Sequence, residues 1–409
     1  MSSFYPSSDR AWESLDPLID AALHALQKET GSTQQEISLY AFATAGLRVL
    51  AEENNEVLLD DDEYDINDLI EEDDDAMAAN SVTQLLLSIR THIDHAYPNI
   101  HIPKNSIRIL SGIEEGLYGW ITQQQLIRQG ARSFTQTNTN TIGNVLSPPS
   151  INTSVPPHHV GAIDFGGAST QISYWVPKKD HSAPSLDYQS IESTPVDPTV
   201  GGYVYTHSYL HYGIYQSRYT TIDKAQILYQ VQGNIVKHPC LLEGSTAPHY
   251  DPLSQLQLEG SSEWNECLSL IRSIFDWKAS CLHEPCSFNG VHMPKMVEPH
   301  TVIAFDYATV IAGHLGFHGD TSLHDISRQV ELYCSMTWQE AQEDLLQFPD
   351  RKPQTEERLL WRCFEAAYML VLFTEGYSFT ENHPHIVFTR ELNYDTISWA
   401  LGAIVSNTK

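Results

Sequence analysis

The fold of this chain is constrained most by residues 161–174, GAIDFGGASTQISY. The apolar residues at both ends predict two strands, and the glycine pair between them predicts a tight turn. Gly166 and Gly167 carry no Cβ, so the backbone can come close to an anion and point its N–H groups at it. A glycine pair is also typical of an ordinary hairpin turn. The segment therefore predicts a β-hairpin whose turn is suited to phosphate.

Polar side chains border this turn. Asp164 ends the first strand, where a carboxylate can hold the hydration shell of a divalent cation, although aspartate before a turn is also a common turn former. Ser169 and Gln171 alternate along the second strand, so both side chains leave on one face. The hairpin is therefore expected to carry its chemistry on one side.

Charge restricts the partners that this chain can have. It contains 23 Lys and Arg against 52 Asp and Glu, a net charge of −29. This charge repels nucleic-acid backbones and anionic membrane surfaces, so we expect no nucleic-acid partner. The acidic block at residues 60–75 predicts a solvated insertion. A calcium loop is the alternative, but the block lacks the turn glycine and the terminal glutamate of an EF-hand.

Several features of the sequence bear on the cellular compartment of this chain. Residues 133–157 predict a polar surface loop that carries a glycosylation sequon at Asn152. The sequence shows no signal peptide, and its most apolar run, residues 366–373, is too short to cross a bilayer. Six cysteines without a CxxC pair favour disulfides in an oxidising compartment, with six reduced core thiols as the alternative.

Segments of helical and strand periodicity are mixed along the chain, which indicates an α/β fold. Leu85, Leu86, Ile89 and Ile93 share one face of a helix predicted over residues 81–97. The other predicted elements are a strand at 107–110 and helices at 12–26, 264–275, 304–315, 338–346, 356–373 and 396–405.

Further motifs stand on both sides of the hairpin: YAFATAGLR at residues 40–48, SGIEEGLYGWI at 111–121 and WALG at 399–402. With the hairpin as the third of four, they resemble in order the second to fifth apyrase conserved regions of the nucleoside triphosphate diphosphohydrolase family (GDA1/CD39-type nucleoside phosphatases). Residues 203–213 and 286–290 are also similar to sequence of this family.

The family's first conserved region, an Asp-x-Gly-Ser loop, is not found, so we expect a first lobe that is truncated at its N-terminus. The resemblance implies a two-lobed actin/Hsp70/ribonuclease-H-like α/β fold with nucleotide in the cleft between the lobes. The implied first lobe spans residues 1–170, with an acidic insertion at 52–80 and a polar loop at 131–158. The implied second lobe spans residues 171–390, with a disulfide-rich segment at 240–290. A C-terminal helix at 391–409 is expected to return to the first lobe.

The resemblance also implies a reaction. Nucleoside tri- and diphosphates would be hydrolysed to monophosphates by direct attack of water, with Ca²⁺ or Mg²⁺ as cofactor. Glu115, which the sequence places on a glycine-flanked turn, is the implied general base. Ser169 and Gln171 would orient the water, and Asp164 would hold the metal through water.

Phosphate binding is implied for Thr44 and for the backbone of Gly166, Gly167 and Ala168. Arg48 has two interpretations, a structural ion pair or a phosphate ligand. Aromatic residues near two segments of the second lobe pack on the base in relatives, and the nearest here are Tyr307 and Tyr377. The register around Tyr307 departs from the family pattern, which leaves base preference open.

The disulfide pairs implied by the resemblance are Cys240–Cys286, Cys267–Cys281 and Cys334–Cys363. They agree with a location in the lumen of the secretory pathway (Golgi or endoplasmic reticulum) or outside the cell, with a membrane anchor only in a longer form. The alternative function is a catalytically impaired member of the same family that binds nucleotides or other partners, because the first phosphate loop is missing.

Overall fold

The structure, a computed structural model, describes residues 12–30, 37–54, 82–136, 156–177, 188–190, 201–229, 231–251, 253–296, 301–317, 319–347, 356–381, 384–393 and 395–407. The chain separates into two compact units, Met1–Glu115 and Gly116–Lys409. The sequence-based division lay at residue 170 instead, and the lobe boundaries stay a prediction. Most of the acidic insertion and of the polar loop, with Asn152, lies outside the described residues.

The first unit consists of short parallel strand pairs packed with helices. β1 pairs with β3 and β2 with β4. Its core contains the buried face of α3, where Leu85, Ile89 and Ile93 are fully buried, which confirms the helix predicted there. The described elements are α1 (Asp16–Thr30), β1 (Ile37–Ser38), β2 (Ala41–Ala43), α2 (Ala45–Glu53), α3 (Val82–Ala96), β3 (Ile100–His101), β4 (Ile107–Ile109) and the start of α4 (Gly112–Gln136), which continues into the second unit.

The second unit is built on a seven-stranded mixed sheet. Its described elements are β5 (Val160–Phe165), β6 (Ser169–Val176), β7 (Tyr188–Ser190), β8 (Tyr203–Leu210), α5 (Ile214–Leu228), β9 (Ile235–His238), β10 (Thr246–Pro248), β11 (Gln257–Gly260), α6 (Trp264–Arg272), β12 (Thr301–Asp306), α7 (Tyr307–Leu315), β13 (Gly319–Thr321), α8 (Leu323–Cys334), α9 (Trp338–Gln347), α10 (Glu356–Leu360), α11 (Arg362–Val371), β14 (His385–Phe388), β15 (Glu391–Leu392), β16 (Asp395–Thr396) and α12 (Trp399–Asn407). Two 3₁₀ turns (Pro157–His159, Phe288–Gly290) and a π-helical turn (Leu372–Gly376) complete the set.

The sheet runs in the order β13-β14-β12-β5-β6-β8-β7. β5, β12 and β14 are parallel, whereas β5, β6 and β8 form an antiparallel meander. Every residue of β5 is buried, as expected for the central strand of a sheet that is covered on both faces. α12 packs closely on α4, because a Cβ built on Gly402 would lie 2.0 Å from the Tyr118 carbonyl oxygen. The α/β class expected from the sequence is therefore confirmed.

Some helices begin or end at residues other than those predicted from the sequence. The helix predicted at 304–315 starts only with α7, because its first three residues extend β12 between β5 and β14. The helix predicted at 356–373 is two helices, α10 and α11, which Trp361 separates, and α11 leads into the π-helical turn. The final helix starts three residues later than predicted, since the preceding residues include β16. Tertiary pairing overrides local helical periodicity at these points.

The disulfides correct the expected pairing. The predicted pairs Cys240–Cys286 and Cys267–Cys281 are wrong, because Cys240 bonds to Cys267 and Cys281 to Cys286. Cys267 lies on α6, which packs against α5 and α11 in the same core as Cys240, whereas Cys281 and Cys286, five positions apart, close a short loop beyond α6. The third predicted pair, Cys334–Cys363, is formed and joins α8 to α11.

A buried histidine lies at the end of β9. His238 is 0% exposed and packs edge-on against the rings of Trp361 and Phe364. Neither of its ring nitrogens has a hydrogen-bond partner among the described residues. Burial penalises the charged imidazolium and lowers the pKa of His238 to about 3. The second unit therefore holds this side chain in its neutral form.

In the described part of the chain, none of the helices combines the length and the apolar character that crossing a bilayer requires.

The disulfide pairing predicts a simple peptide map. Tryptic digestion without reduction should give residues 238–272 and 279–295 as separate peptides, each with one internal disulfide, because each pair of cysteines lies between the same cleavage sites. Mass spectrometry should find each peptide about 2 Da lighter than its reduced form. Recovery of the two peptides joined to each other would instead support the pairing Cys240–Cys286 with Cys267–Cys281.

The buried histidine predicts acid sensitivity. The pKa of His238 in the folded chain is about 3, below the value of ~6.5 for an unfolded histidine. The unfolded chain therefore binds the extra proton as the pH falls below ~6.5, and the free energy of unfolding should decrease by up to about 1.4 kcal/mol per pH unit. Urea unfolding at pH 7.5 and pH 5.5 should show a smaller pH dependence for His238→Leu than for the wild type. The exposed control His324→Leu should keep the wild-type dependence, and equal slopes in all three proteins would contradict the assignment.

Candidate active site

The glycine turn of the hairpin is fixed by hydrogen bonds to its own ends. The Gly166 amide donates to the Ser169 carbonyl at 3.1 Å, which closes the turn between β5 and β6. The strands continue in antiparallel register, with Asp164 opposite Gln171. The hairpin predicted from residues 161–174 is therefore confirmed.

The carbonyl groups of the turn are bound from one direction by the start of α5. The amides of Ile214 and Tyr215 donate to the carbonyls of Gly166 and Gly167, both at 2.9 Å. The amide of His211 donates to the Ala168 carbonyl, also at 2.9 Å. Among the described residues no acceptor engages the amides of Gly167 and Ala168. The turn therefore offers two adjacent N–H groups, an arrangement of the kind that binds anions.

This close contact requires a glycine before α5. A Cβ built on Gly213 would lie 2.5 Å from the Ala168 nitrogen, the Gly167 carbonyl carbon and the Ser169 nitrogen. Real Cβ atoms are not found so close to backbone, so any side chain here would push α5 away from the turn. Gly213 is thus what allows α5 to hold the phosphate-suited turn.

The two polar side chains of β6 are linked to each other. The Gln171 side-chain amide donates to Ser169 Oγ at 2.6 Å and to Ser208 Oγ at 2.9 Å. Ser169 and Gln171 are 2% and 1% exposed, so their orientation is fixed by packing as well as by these bonds. The prediction that both leave on one face is confirmed. Ser208 lies opposite Gln171 on β8 and was not identified from the sequence, although it lies inside a motif noted there.

Asp164 is 8% exposed and is the next-to-last residue of β5. It lies between Gln171 of β6 and Phe305 of β12, next to the turn. Its main-chain oxygen accepts from Thr170 Oγ1 at 3.1 Å, which ties the end of β5 to the start of β6. Carboxylate oxygens are the donors that Ca²⁺ and Mg²⁺ prefer, so the donor type fits a hydrated divalent cation.

In the first unit, Glu115 does not lie on a turn as predicted. It is the fourth residue of α4, and its amide donates to the Ser111 carbonyl at 3.0 Å. The helix starts so early because Ser111 and Glu114 form a reciprocal cap: the Glu114 amide donates to Ser111 Oγ, and the Ser111 amide donates to Glu114 Oε2. The glycines that suggested a turn serve packing instead, since a Cβ built on Gly116 would lie 2.7 Å from Thr206 Cγ2 in the second unit.

Of the two interpretations of Arg48, the structure supports the ion pair. Its Nη2 donates to Glu115 Oε2 at 2.7 Å, and its Nη1 donates to the Leu110 carbonyl at 2.6 Å. Both side chains are about nine-tenths buried, at 10% and 9% exposure. This pair fixes the direction of the Glu115 carboxylate. Thr44 precedes α2, the helix that carries Arg48, and its side chain makes no capping bond within the described residues.

Glu114 has a different environment from its neighbour. Its two carboxylate oxygens accept from Arg108 at 2.8 and 2.5 Å. Burial alone would raise the pKa of Glu114, but the hydrogen bonds and charge of Arg108, with the Ser111 cap, outweigh it and lower the pKa. Glu114 is therefore a structural carboxylate that remains ionised.

The two aromatic residues noted from the sequence have different surroundings. Tyr377 is 2% exposed, and its hydroxyl lies 3.2 Å from Thr170 Oγ1, so it belongs to the core. The Tyr307 hydroxyl donates to that of Tyr215 at 2.7 Å, and the Tyr215 ring lies 2.9 Å from a Cβ built on Gly167. Of the two, only Tyr307 belongs to an aromatic pair that borders the turn.

The fold and the turn together define an α/β protein in which a glycine turn is held in place by the backbone that leads into α5. The GDA1/CD39 (nucleoside phosphatase) family model matches residues 76–409, and the chain belongs to this family. It is 32% identical over 327 residues to human ectonucleoside triphosphate diphosphohydrolase 3, which covers 74% of this chain and 56% of that protein. It is 26% identical over 432 residues to the guanosine-diphosphatase of Schizosaccharomyces pombe, which covers 99% of this chain and 66% of that protein.

A solved structure of nucleoside triphosphate hydrolases from Neospora caninum matches the fold with a TM-score of 0.57 at 15% identity. The match covers 98% of this chain and 78% of that chain. At this identity the likeness concerns the fold alone.

The contact at Gly213 predicts a steric effect on stability. Gly213→Ala should lower the free energy of unfolding by about 1–3 kcal/mol, because its methyl group would overlap the backbone of the turn. The control is Gly313→Ala in α7, where no heavy atom of the described residues lies within 4 Å of the built Cβ. That change should be neutral or stabilise by up to about 1 kcal/mol, since alanine favours helix over glycine. Urea unfolding measures both, and equal stability of the two variants would refute the proposed overlap.

Proposed function

We propose that this chain hydrolyses nucleoside tri- and diphosphates to nucleoside monophosphates and inorganic phosphate. The observation that carries the proposal is the turn of Gly166, Gly167 and Ala168, whose carbonyls accept hydrogen bonds from His211 and the start of α5, while the N–H groups of Gly167 and Ala168 are available for an anion. Fixed backbone donors stabilise the charge that develops on phosphoryl oxygens without having to reorganise during the reaction. Membership of a nucleoside phosphatase family supports the same chemistry.

The proposed reaction is one displacement by water, without a phospho-enzyme. The water oxygen forms a bond to the terminal phosphorus while the bond from phosphorus to the bridging oxygen breaks, and the leaving nucleotide takes that electron pair. Glu115 accepts the proton of the water, and Ser169 and Gln171 orient it. Support for the pair on β6 comes from the bond that already fixes Gln171 to Ser169. Thr44 is proposed as a further phosphate ligand.

Support for Glu115 comes from chain connectivity and from its orientation. Gly116, the next residue, packs against β6 so that a built Cβ would lie 3.0 Å from Gln171 Cβ. Arg48 holds one oxygen of the Glu115 carboxylate in place. A base that is positioned in advance needs no rearrangement before it receives the proton.

Asp164 is proposed to hold Ca²⁺ or Mg²⁺ through coordinated water. The metal, when bound, would neutralise charge on the phosphate oxygens. Asp164 contributes a buried carboxylate next to the turn, which suits a hydrated hard cation. Three disulfides in the structure support the further proposal that the chain acts in an oxidising compartment, the lumen of the secretory pathway or the cell exterior.

The adjacent glutamates give a matched test of the base. Glu115→Gln keeps the shape of the side chain but cannot accept the proton, so kcat for ADP, UDP or ATP should fall by about 100-fold or more while KM changes little. Glu114→Gln, one residue away, should keep kcat within about threefold, because Glu114 serves the helix cap. Phosphate release is the measurement. Comparable activity in both variants would remove Glu115 from the mechanism, and nucleotide binding without any turnover in the wild type would favour the non-hydrolytic alternative.

Metal removal tests the role of Asp164. EDTA should abolish phosphate release, and added Ca²⁺ or Mg²⁺ should restore it, since the substrate phosphates need a cation to neutralise them. In Asp164→Asn, the metal concentration for half-maximal activity should rise by about tenfold or more. Asp223→Asn, at an exposed carboxylate bonded to Tyr250, should behave as the wild type. Undiminished turnover in EDTA would rule out the metal-dependent mechanism.

A further inference from the structure

A short loop closed by a disulfide follows α6 in the second unit. It runs from Cys281 to Cys286 and contains Glu284, which is exposed, while both cysteines are partly exposed. The ligand atoms of these three side chains lie within 4.8 Å of one another. Among the residues that the structure describes, they form the one group of three or more His, Cys, Asp and Glu side chains that lies so close together. The proposed hydrolysis uses none of them.

The three disulfides differ in their access to solvent. The members of the pairs Cys240–Cys267 and Cys334–Cys363 are at most 1% exposed, whereas both members of Cys281–Cys286 reach the surface in part. A disulfide is reduced by attack of a reductant on one of its sulfur atoms, so the rate depends on access to that sulfur. A reductant should therefore open the loop disulfide first, while the two buried pairs still hold the core together.

Main-chain hydrogen bonds shape this loop independently of its disulfide. The Met293 amide donates to the Pro285 carbonyl at 2.9 Å. The His292 Nδ1 lies 2.7 Å from the His283 carbonyl oxygen, which can only accept, so the ring donates this bond. These contacts hold the segment before Cys286 whether or not the sulfur–sulfur bond is present. The two cysteines therefore stay close after reduction, which lowers the entropy cost of gathering them around an ion.

The sulfur atoms are suited to a metal once they are reduced. The Cys281 amide donates to Cys286 Sγ at 3.1 Å, and such a bond favours the negatively charged thiolate. Zinc takes thiolate sulfur and carboxylate oxygen as ligands in tetrahedral sites. Two thiolates at ~2.3 Å from a tetrahedral zinc ion lie ~3.8 Å apart. That spacing is within reach of two cysteines whose Cα atoms are 5.6 Å apart.

We propose that the reduced loop binds one zinc ion through the sulfur atoms of Cys281 and Cys286 and the carboxylate of Glu284, with water as the fourth ligand. The reductant is a dithiol, which supplies two electrons. One of its thiolates attacks a sulfur of the loop, the sulfur–sulfur bond breaks, and its second thiolate then releases the mixed disulfide. The products are two cysteine thiols and the oxidised dithiol. Zinc replaces the two thiol protons, which pass to solvent, so the site exists only in the reduced chain.

Limited reduction of the full chain tests whether this disulfide opens first. A phosphine is the reagent, because it leaves no thiol that would compete for zinc; it gives its electron pair to sulfur and ends as the phosphine oxide. After alkylation and tryptic digestion, the peptide of residues 279–295 should carry two alkyl groups while that of residues 238–272 keeps its disulfide. Opening of the buried pairs before the loop would overturn the proposal.

Zinc titration of the reduced chain tests the site itself. The chain is reduced without alkylation, freed of phosphine and kept under anaerobic conditions. In competition with a chromogenic chelator, it should bind about one zinc ion more than the disulfide form, with a Kd of about 1 µM or lower. Cobalt in place of zinc should give a sulfur-to-metal absorption band in the reduced chain alone. If reduction adds no zinc binding, the site does not exist.

Variants identify the ligands. Glu284→Gln keeps both cysteines and should weaken zinc binding to the reduced chain by about tenfold or more. Glu266→Gln, at an exposed glutamate of α6, is the matched control and should keep the wild-type affinity. The double variant Cys281→Ser with Cys286→Ser should lose the additional zinc ion, and its melting temperature shows whether it folds. Equal affinity of the two glutamine variants, or retention of the additional ion by the double variant, would show the assignment to be wrong.

Discussion

The hydrogen bonds from the start of α5 to the carbonyls of Gly166 and Gly167 are the constraint on which the candidate site depends. Amide and carbonyl groups of a short turn cannot all face one side, so binding the carbonyls to α5 directs N–H groups elsewhere. The start of α5 can approach the turn this closely because Gly213 has no side chain. Donors that are fixed in this way are effective for an anion, because little reorganisation is needed when it binds.

Local environment gives two neighbouring carboxylates different uses. Glu114 and Glu115 are consecutive on α4, yet Glu114 bonds to Arg108 and to the helix start, and Glu115 bonds to Arg48. The first of these sets of contacts lowers the pKa of Glu114 and explains why the helix starts there. The second holds a carboxylate in one direction without using it in the cap. Two glutamates that are adjacent in the sequence therefore differ in role because they have different hydrogen-bond partners.

Several polar groups in the interior of the second unit are buried in pairs. Gln171 and Ser169 satisfy each other, and Arg362 shares Glu365 with Arg218. His238 is buried without introducing a charge, since burial lowers its pKa to about 3 and keeps the imidazole neutral.

The sequence alone determined the features that depend on short-range pattern: the β5–β6 hairpin, the common face of Ser169 and Gln171, the helix α3 and the α/β class. Only the tertiary structure decided which cysteines bond, that Glu115 lies on a helix, and that Ser208 and Gly213 support the site. These features depend on residues that are brought together from distant segments, as when Cys240 meets Cys267 on α6. A local sequence pattern shows only which secondary structure a segment favours. The glycines at 116 and 119 are compatible both with a turn and with a helix in close contact with its neighbours. The residues packed against them decide in favour of the helix.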